Sequence, residues 1–165
     1  MRIIGIDPGT IAMGYGVLES NDGETALVDY GVLTVKARSP IGERLAYLYN
    51  SLMKIISESQ PDVMAIEQPF VAKNVKTALA IGRAQAIAIL AAANQGIPFY
   101  EYTPTQVKQR VSSYGASSKE QIQEMVRLQL GMLQAPQSND AADALAVALC
   151  HISETHLSNL LSRQQ

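Results

Sequence analysis

Four carboxylates stand where ordinary surface acids are not expected. Asp7 closes the short apolar run Arg2–Ile6, and Glu67 closes a second run, Val63–Ile66. Asp140 and Asp143 fall three residues apart at the start of a helical pattern, so they share one helix face. Strand ends and a helix start can converge at one edge of a sheet. Converging carboxylates repel, and each is costly to bury without compensation. A divalent cation supplies that compensation, and oxygen donors with no Cys or His nearby select Mg²⁺ or Mn²⁺ over zinc. Taken singly, three of the acids have plainer readings: Asp7 as a turn former before Pro8-Gly9, Glu67 as an exposed strand end, Asp140 as a helix cap. Asp143 is harder to explain that way, because Ala141, Ala142, Ala144 and Leu145 around it are apolar.

The elements that must position these acids can be read from the pattern. Arg2–Ile6 reads as a buried strand, followed by the turn Asp7-Pro8-Gly9-Thr10. Tyr15–Glu19 and Ala26–Lys36 are β-rich and separated by Asn21-Asp22-Gly23, which predicts an antiparallel meander. Residues 41–58 change to helical period, with Leu45, Leu48, Leu52 and Ile55 on one face. Val63–Ile66 and Phe99–Tyr102 read as further strands, with a loop over 69–74 and helices over about 104–112, 118–131 and 139–157. Thr77–Ala93 is apolar nearly all round, with Arg83 its one charge. Such a helix must be covered on more than one side, by the core and by a second subunit. Three strands followed by alternating helices and strands imply a mixed sheet flanked by helices.

Composition narrows the class. At 165 residues the chain fits one domain over 1–165, with a polar, frayed tail of about eight residues. The single cysteine, Cys150, excludes a disulfide framework and a Cys-rich zinc site. No signal-like start is seen, and the apolar stretches are interrupted by charge or glycine, so a soluble cytoplasmic protein with no membrane span is expected. The net charge of −2 does not suggest a nucleic-acid binder, but its distribution is uneven. Residues 1–34 sum to −4, 35–69 balance, 70–127 sum to +4 and 128–165 to −2. The basic middle, with Lys73, Lys76, Lys108 and Lys119, could form a phosphate-binding stripe beside an acidic pocket or an ordinary solvated surface.

Four segments carry a resemblance. Ile4-Gly5-Ile6-Asp7-Pro8-Gly9-Thr10 with Gly14-Tyr15-Gly16, Ala65-Ile66-Glu67-Gln68 with Phe70-Val71-Ala72-Lys73-Asn74, Tyr102 through Val107-Lys108-Gln109, and Asn139-Asp140-Ala141-Ala142-Asp143-Ala144-Leu145-Ala146 together resemble the motifs of the RuvC family of Holliday-junction resolvases. They occur in family order across residues 1–151. The resemblance implies an α/β, ribonuclease H-like fold: a five-stranded mixed sheet with helices on both faces. It implies that Asp7, Glu67, Asp140 and Asp143 are the catalytic acids and hold two Mg²⁺ ions, with Mn²⁺ able to substitute. It places Phe70 near the junction centre and Lys108 and Lys119 near the acids; Lys73 and Lys76 join them as candidate DNA contacts. Pro69 before Phe70 departs from the family pattern.

The implied activity is a homodimeric endonuclease that nicks two symmetric strands of a four-way DNA junction, leaving 5′-phosphate and 3′-hydroxyl ends. The branch-migration motor RuvAB is implied as a partner. The helix Thr77–Ala93 is the candidate dimer interface, testable by Ala88→Glu if position 88 faces outward. Three other readings compete with it. An actin-like phosphotransferase shares the Asp-x-Gly-Thr turn but needs a second domain. A nuclease acting on RNA shares the fold and the first acid, but the segment Phe70–Asn74 argues against it. A non-catalytic junction binder would have lost a carboxylate, and none is lost.

Overall fold

The computed structural model describes residues 1–21, 23–68, 74–112, 115 and 117–162. Five strands form one sheet: β1 (Arg2–Asp7), β2 (Ala12–Asn21), β3 (Glu24–Thr34), β4 (Val63–Glu67) and β5 (Phe99–Tyr102), in the order β3-β2-β1-β4-β5. The first three make the antiparallel meander; β4 pairs parallel to β1, and β5 parallel to β4. The directions follow: β1, β3, β4 and β5 all end on one edge of the sheet. Asp7 and Glu67 are therefore delivered side by side, one step beyond the Ile6–Ile66 pair.

The helices are α1 (Ile41–Ser59), α2 (Val75–Asn94), α3 (Pro104–Ser112), α4 (Lys119–Gln129) and α5 (Asn139–Ser162). Strand periodicity of two divides the core. Ile4, Ile6, Met64 and Ile66 face α1 and α2, where they meet Leu48, Leu52 and Ala88. Ile3, Val63, Ala65 and Tyr102 face the other way, toward Val107, Val126 and Leu145 of α3, α4 and α5. Asp7 and Glu67 continue that second series and so point to the side of α5.

The sheet admits α5 unusually closely. A side-chain carbon at Gly5 would collide with the Ala144 carbonyl, and one at Gly14 with the Asp140 carbonyl. Gly5 pairs with Gly16, and Gly14 with Asp7, so glycines on two strands clear one track for the helix. The start of α5 is thereby fixed beside the end of β1.

Several expectations shift. β2 begins at Ala12 rather than Tyr15, because Ala12 and Met13 pair with β3 and Gly14 has ladder partners on both sides. β3 stops at Thr34, and Val35 instead bonds the β1–β2 turn. α5 runs to Ser162, into the stretch expected to be a frayed tail. α2, at 20 residues, is apolar enough by length and composition to cross a bilayer, which the reading of interrupted apolar stretches did not anticipate. One face of it, Ala84, Ala88, Ala91 and Ala92, is buried in the core. Ala88 therefore faces inward and is the wrong position for testing a subunit interface.

Candidate active site

A cleft of about 300 Å³ opens at the acid-bearing edge, lined by Asp7, Glu67, Asp140, Asp143, Lys108 and Lys119 together with apolar residues of α3 and α4. The parallel β1–β4 pair brings Asp7 and Glu67 together, and they share a hydrogen bond. The first turns of α5 add Asp140 and Asp143. Lys108 comes from α3 and Lys119 from the first position of α4, whose start Ser118 fixes through a capping box with Gln121. Lys119 Nζ lies 3.4 Å from Asp143 Oδ2.

Electrostatics sets this cleft apart from a surface cluster. Burial, followed by the charge of Asp143, pushes Asp7 up to about 7. Burial, followed by the charge of Asp7, pushes Glu67 up to about 8. Burial also raises Asp143, against the lowering pull of Lys119 and Lys108, and Asp143 in turn raises Lys119. The neighbouring lysines do not offset burial and the concentration of negative charge, so the Asp7–Glu67 pair holds on to a proton well above the usual carboxylate range.

The donor set suits a hard divalent cation: four carboxylates, with no sulfur or imidazole among the cleft residues. Among the described residues, no three such side chains already close on a common point. Asp7 and Glu67 bond each other and Asp143 is turned to Lys119, so the carboxylates line the cleft without yet enclosing an ion.

The other candidate residues divide. Lys76 lies in the first turn of α2, in a groove with Gly9, Thr10 and Ile11 rather than in the acid cleft. Phe70 and Lys73 lie outside the described residues. Two supports were missed in the sequence. Arg44, at the start of α1, directs Nη1 toward the Thr10 carbonyl at 3.5 Å and so braces the turn that follows Asp7. Buried His151 of α5 bonds the hydroxyl of Tyr102, whose backbone pairs with Glu67 and whose carbonyl accepts from Gln68. The available signals were a basic residue just past a strand that ends at the site, and a lone histidine within an apolar helix.

This is a ribonuclease H-like α/β protein whose sheet edge carries an acidic, cation-adapted cleft. The family model for crossover junction endodeoxyribonuclease RuvC matches residues 3–151. A RuvC of Dehalococcoides mccartyi is 55% identical over 163 residues, covering 99% of this chain and 98% of that protein. A RuvC of Chloroflexus aggregans is 56% identical over 151 residues, covering 92% of each. The structure of Thermus thermophilus RuvC in complex with a Holliday junction substrate superposes with a TM-score of 0.91 at 31% identity, covering 96% of each chain. The chain belongs to the RuvC family of crossover junction endodeoxyribonucleases.

Proposed function

We propose that this chain works as a homodimer that resolves four-way DNA junctions by two symmetric nicks, with Mg²⁺ bound by Asp7, Glu67, Asp140 and Asp143 in each subunit. The observation that carries this reading is the convergence of all four acids and two lysines on one cleft at the ends of β1 and β4. When bound, two divalent ions supply Lewis acidity for phosphodiester hydrolysis, and Mn²⁺ meets the same donor requirements.

The protein's own groups do the rest. Asp7, central in the sheet, and Glu67 beside it give up their retained proton and present carboxylate oxygens to the cleft. Asp140 and Asp143, held by the close docking of α5, complete the set from the opposite wall. Lys119 and Lys108 neutralise charge that builds on the phosphate in the transition state. The apolar side chains of Val107 and Ile122 exclude water from one side of the cleft and strengthen those interactions. The whole chain then acts as one nuclease domain, cutting to leave 5′-phosphate and 3′-hydroxyl ends. Phe70 is assigned to stacking near the junction centre from the family resemblance, which also supplies RuvAB as the expected partner, and Lys73 stays a candidate DNA contact.

The deciding experiment incubates the protein with a synthetic four-way junction labelled on each strand in turn, without metal, with Mg²⁺ and with Mn²⁺. Paired nicks at symmetric positions, metal-dependent and absent from a linear duplex, are expected. No cleavage with either metal, or equal cutting of linear duplex, would overturn the reading.

A further inference from the structure

The cations of this protein are segregated by their partners. Among the described residues Arg2, Lys54, Arg110 and Arg127 are paired with Glu19, Glu58, Glu154 and Glu124, and Lys119 with Asp143 in the cleft. Lys36, Arg38, Arg44, Lys76, Arg83 and Lys108 enter no ion pair among the described residues. Apart from Arg83, within α2, all of these lie at the acid-bearing edge, in or beside the segments that follow β3, β4 and β5. Unpaired charge is therefore concentrated where the strands end.

Lys108 lies on the β5 side of the acids, and Lys36 and Arg38 lie beyond the end of β3, on the opposite side. Both are exposed, on a turn closed by Ser39 N–H donating to the Lys36 carbonyl at 3.0 Å. The turn is tied to the catalytic region: Val35 N–H donates to the Ile11 carbonyl at 2.8 Å, and Arg44 reaches Thr10 next to it. The backbone that carries its two cations is thus anchored relative to Asp7, which lowers the entropy lost in ordering the turn on binding. Glu43, in the first turn of α1, is the one carboxylate close by in sequence.

We infer that the turn Lys36–Ser39 is a second contact for the DNA backbone, holding phosphates on the side of the cut away from Lys108 and Lys119. The inference rests on the junction-resolving reading above. β3 lies two strand spacings from β1, roughly 10 Å. With about 3.4 Å of rise per nucleotide, Lys36 and Arg38 meet the backbone about three nucleotides from the phosphate over Asp7. The strand then runs along the sheet edge, gripped on both sides of the cleft. Its ligand class is the sugar–phosphate backbone of DNA, read without regard to sequence.

The test measures junction binding against salt concentration, in Ca²⁺, for the wild type, the Lys36→Ala/Arg38→Ala double variant, and Lys54→Ala. Lys54 is a charge control at the far end, paired with Glu58. The double variant is expected to bind about tenfold or more weakly, with a salt slope shallower by about 1.8 for two lost phosphate contacts, and to melt like the wild type. Lys54→Ala is expected to keep the wild-type slope. A folded double variant with wild-type affinity and slope would overturn the inference and leave the junction reading standing. A wild type that neither binds nor cuts junctions would remove that reading, and this inference with it.

Discussion

At the scale of single residues, the proposed chemistry turns on the pair Asp7 and Glu67. Glu67→Gln keeps the shape of the side chain and removes the charge proposed to hold a metal ion. Cleavage in Mg²⁺ should fall at least ~10²-fold while junction binding persists, because a lost ligand weakens transition-state stabilisation more than backbone contact. Near wild-type cleavage by this variant would remove Glu67 from the site. The same pair makes the metal-free protein sensitive to pH. Asp7 rises from 3.8 to about 7 and Glu67 from 4.5 to about 8 on folding. Between those limits the folded chain holds more protons than the unfolded chain, so stability falls as pH rises. The contribution is full below the unfolded values and is lost as pH passes through the folded ones. The Tm of the metal-free protein should therefore drop between about pH 5 and 8, Mg²⁺ should restore it at the upper end, and Glu67→Gln should flatten the profile. A flat wild-type profile that ignores Mg²⁺ would show that the carboxylates do not share a site.

At the scale of elements, the docking of α5 on β1 and β2 decides whether Asp140 and Asp143 reach the cleft at all. Gly14→Ala places a methyl group against the Asp140 carbonyl, so the helix start must move. We expect a loss of roughly 1–3 kcal/mol in denaturant unfolding. Cleavage should fall further than that loss explains, since the acids shift with the helix. An active variant of unchanged stability would mean that the helix start yields freely. This device was only half legible in the sequence. The acids themselves were visible because strand period two and helix period 3.6 fix where Asp7, Glu67 and the Asp140–Asp143 pair fall. The close approach was not, because it depends on Gly5 lying opposite Gly16, a consequence of pairing register that no single segment contains. For the same reason the start of β2 was missed: Met13 is a strand residue through its partner on β3, and Gly14 through partners on β1 and β3, rather than by their own propensity.

At the scale of the whole molecule, sums along the chain conceal what folding separates. Residues 35–69 balance in charge, yet Lys36, Arg38 and Arg44 lie with Glu43 and Glu67 at the acid-bearing edge, while Lys54, Glu58 and Asp62 lie toward the other. The two-sided character of α2 was legible, but not which side is which. Ala84, Ala88, Ala91 and Ala92 face the core; Val75, Leu79 and Leu90 fall on the opposite face and are 72%, 57% and 49% exposed. Such an apolar stripe, on a helix whose other face is already buried, is the surface on which the proposed second subunit would pack. A two-fold dimer through α2 would set two complete clefts at the spacing of two symmetry-related junction strands, so association matters for geometry rather than for chemistry within each cleft. Leu79→Glu/Leu90→Glu puts charge on the stripe without touching the core. It should sediment as a monomer at micromolar concentration, where the wild type is expected to be a dimer, and melt as a folded protein. It should still nick junctions in the presence of metal, but singly, without the symmetric second cut. A folded monomer that made paired symmetric nicks would refute the geometric role. So would a wild type that resolves junctions while remaining monomeric on them.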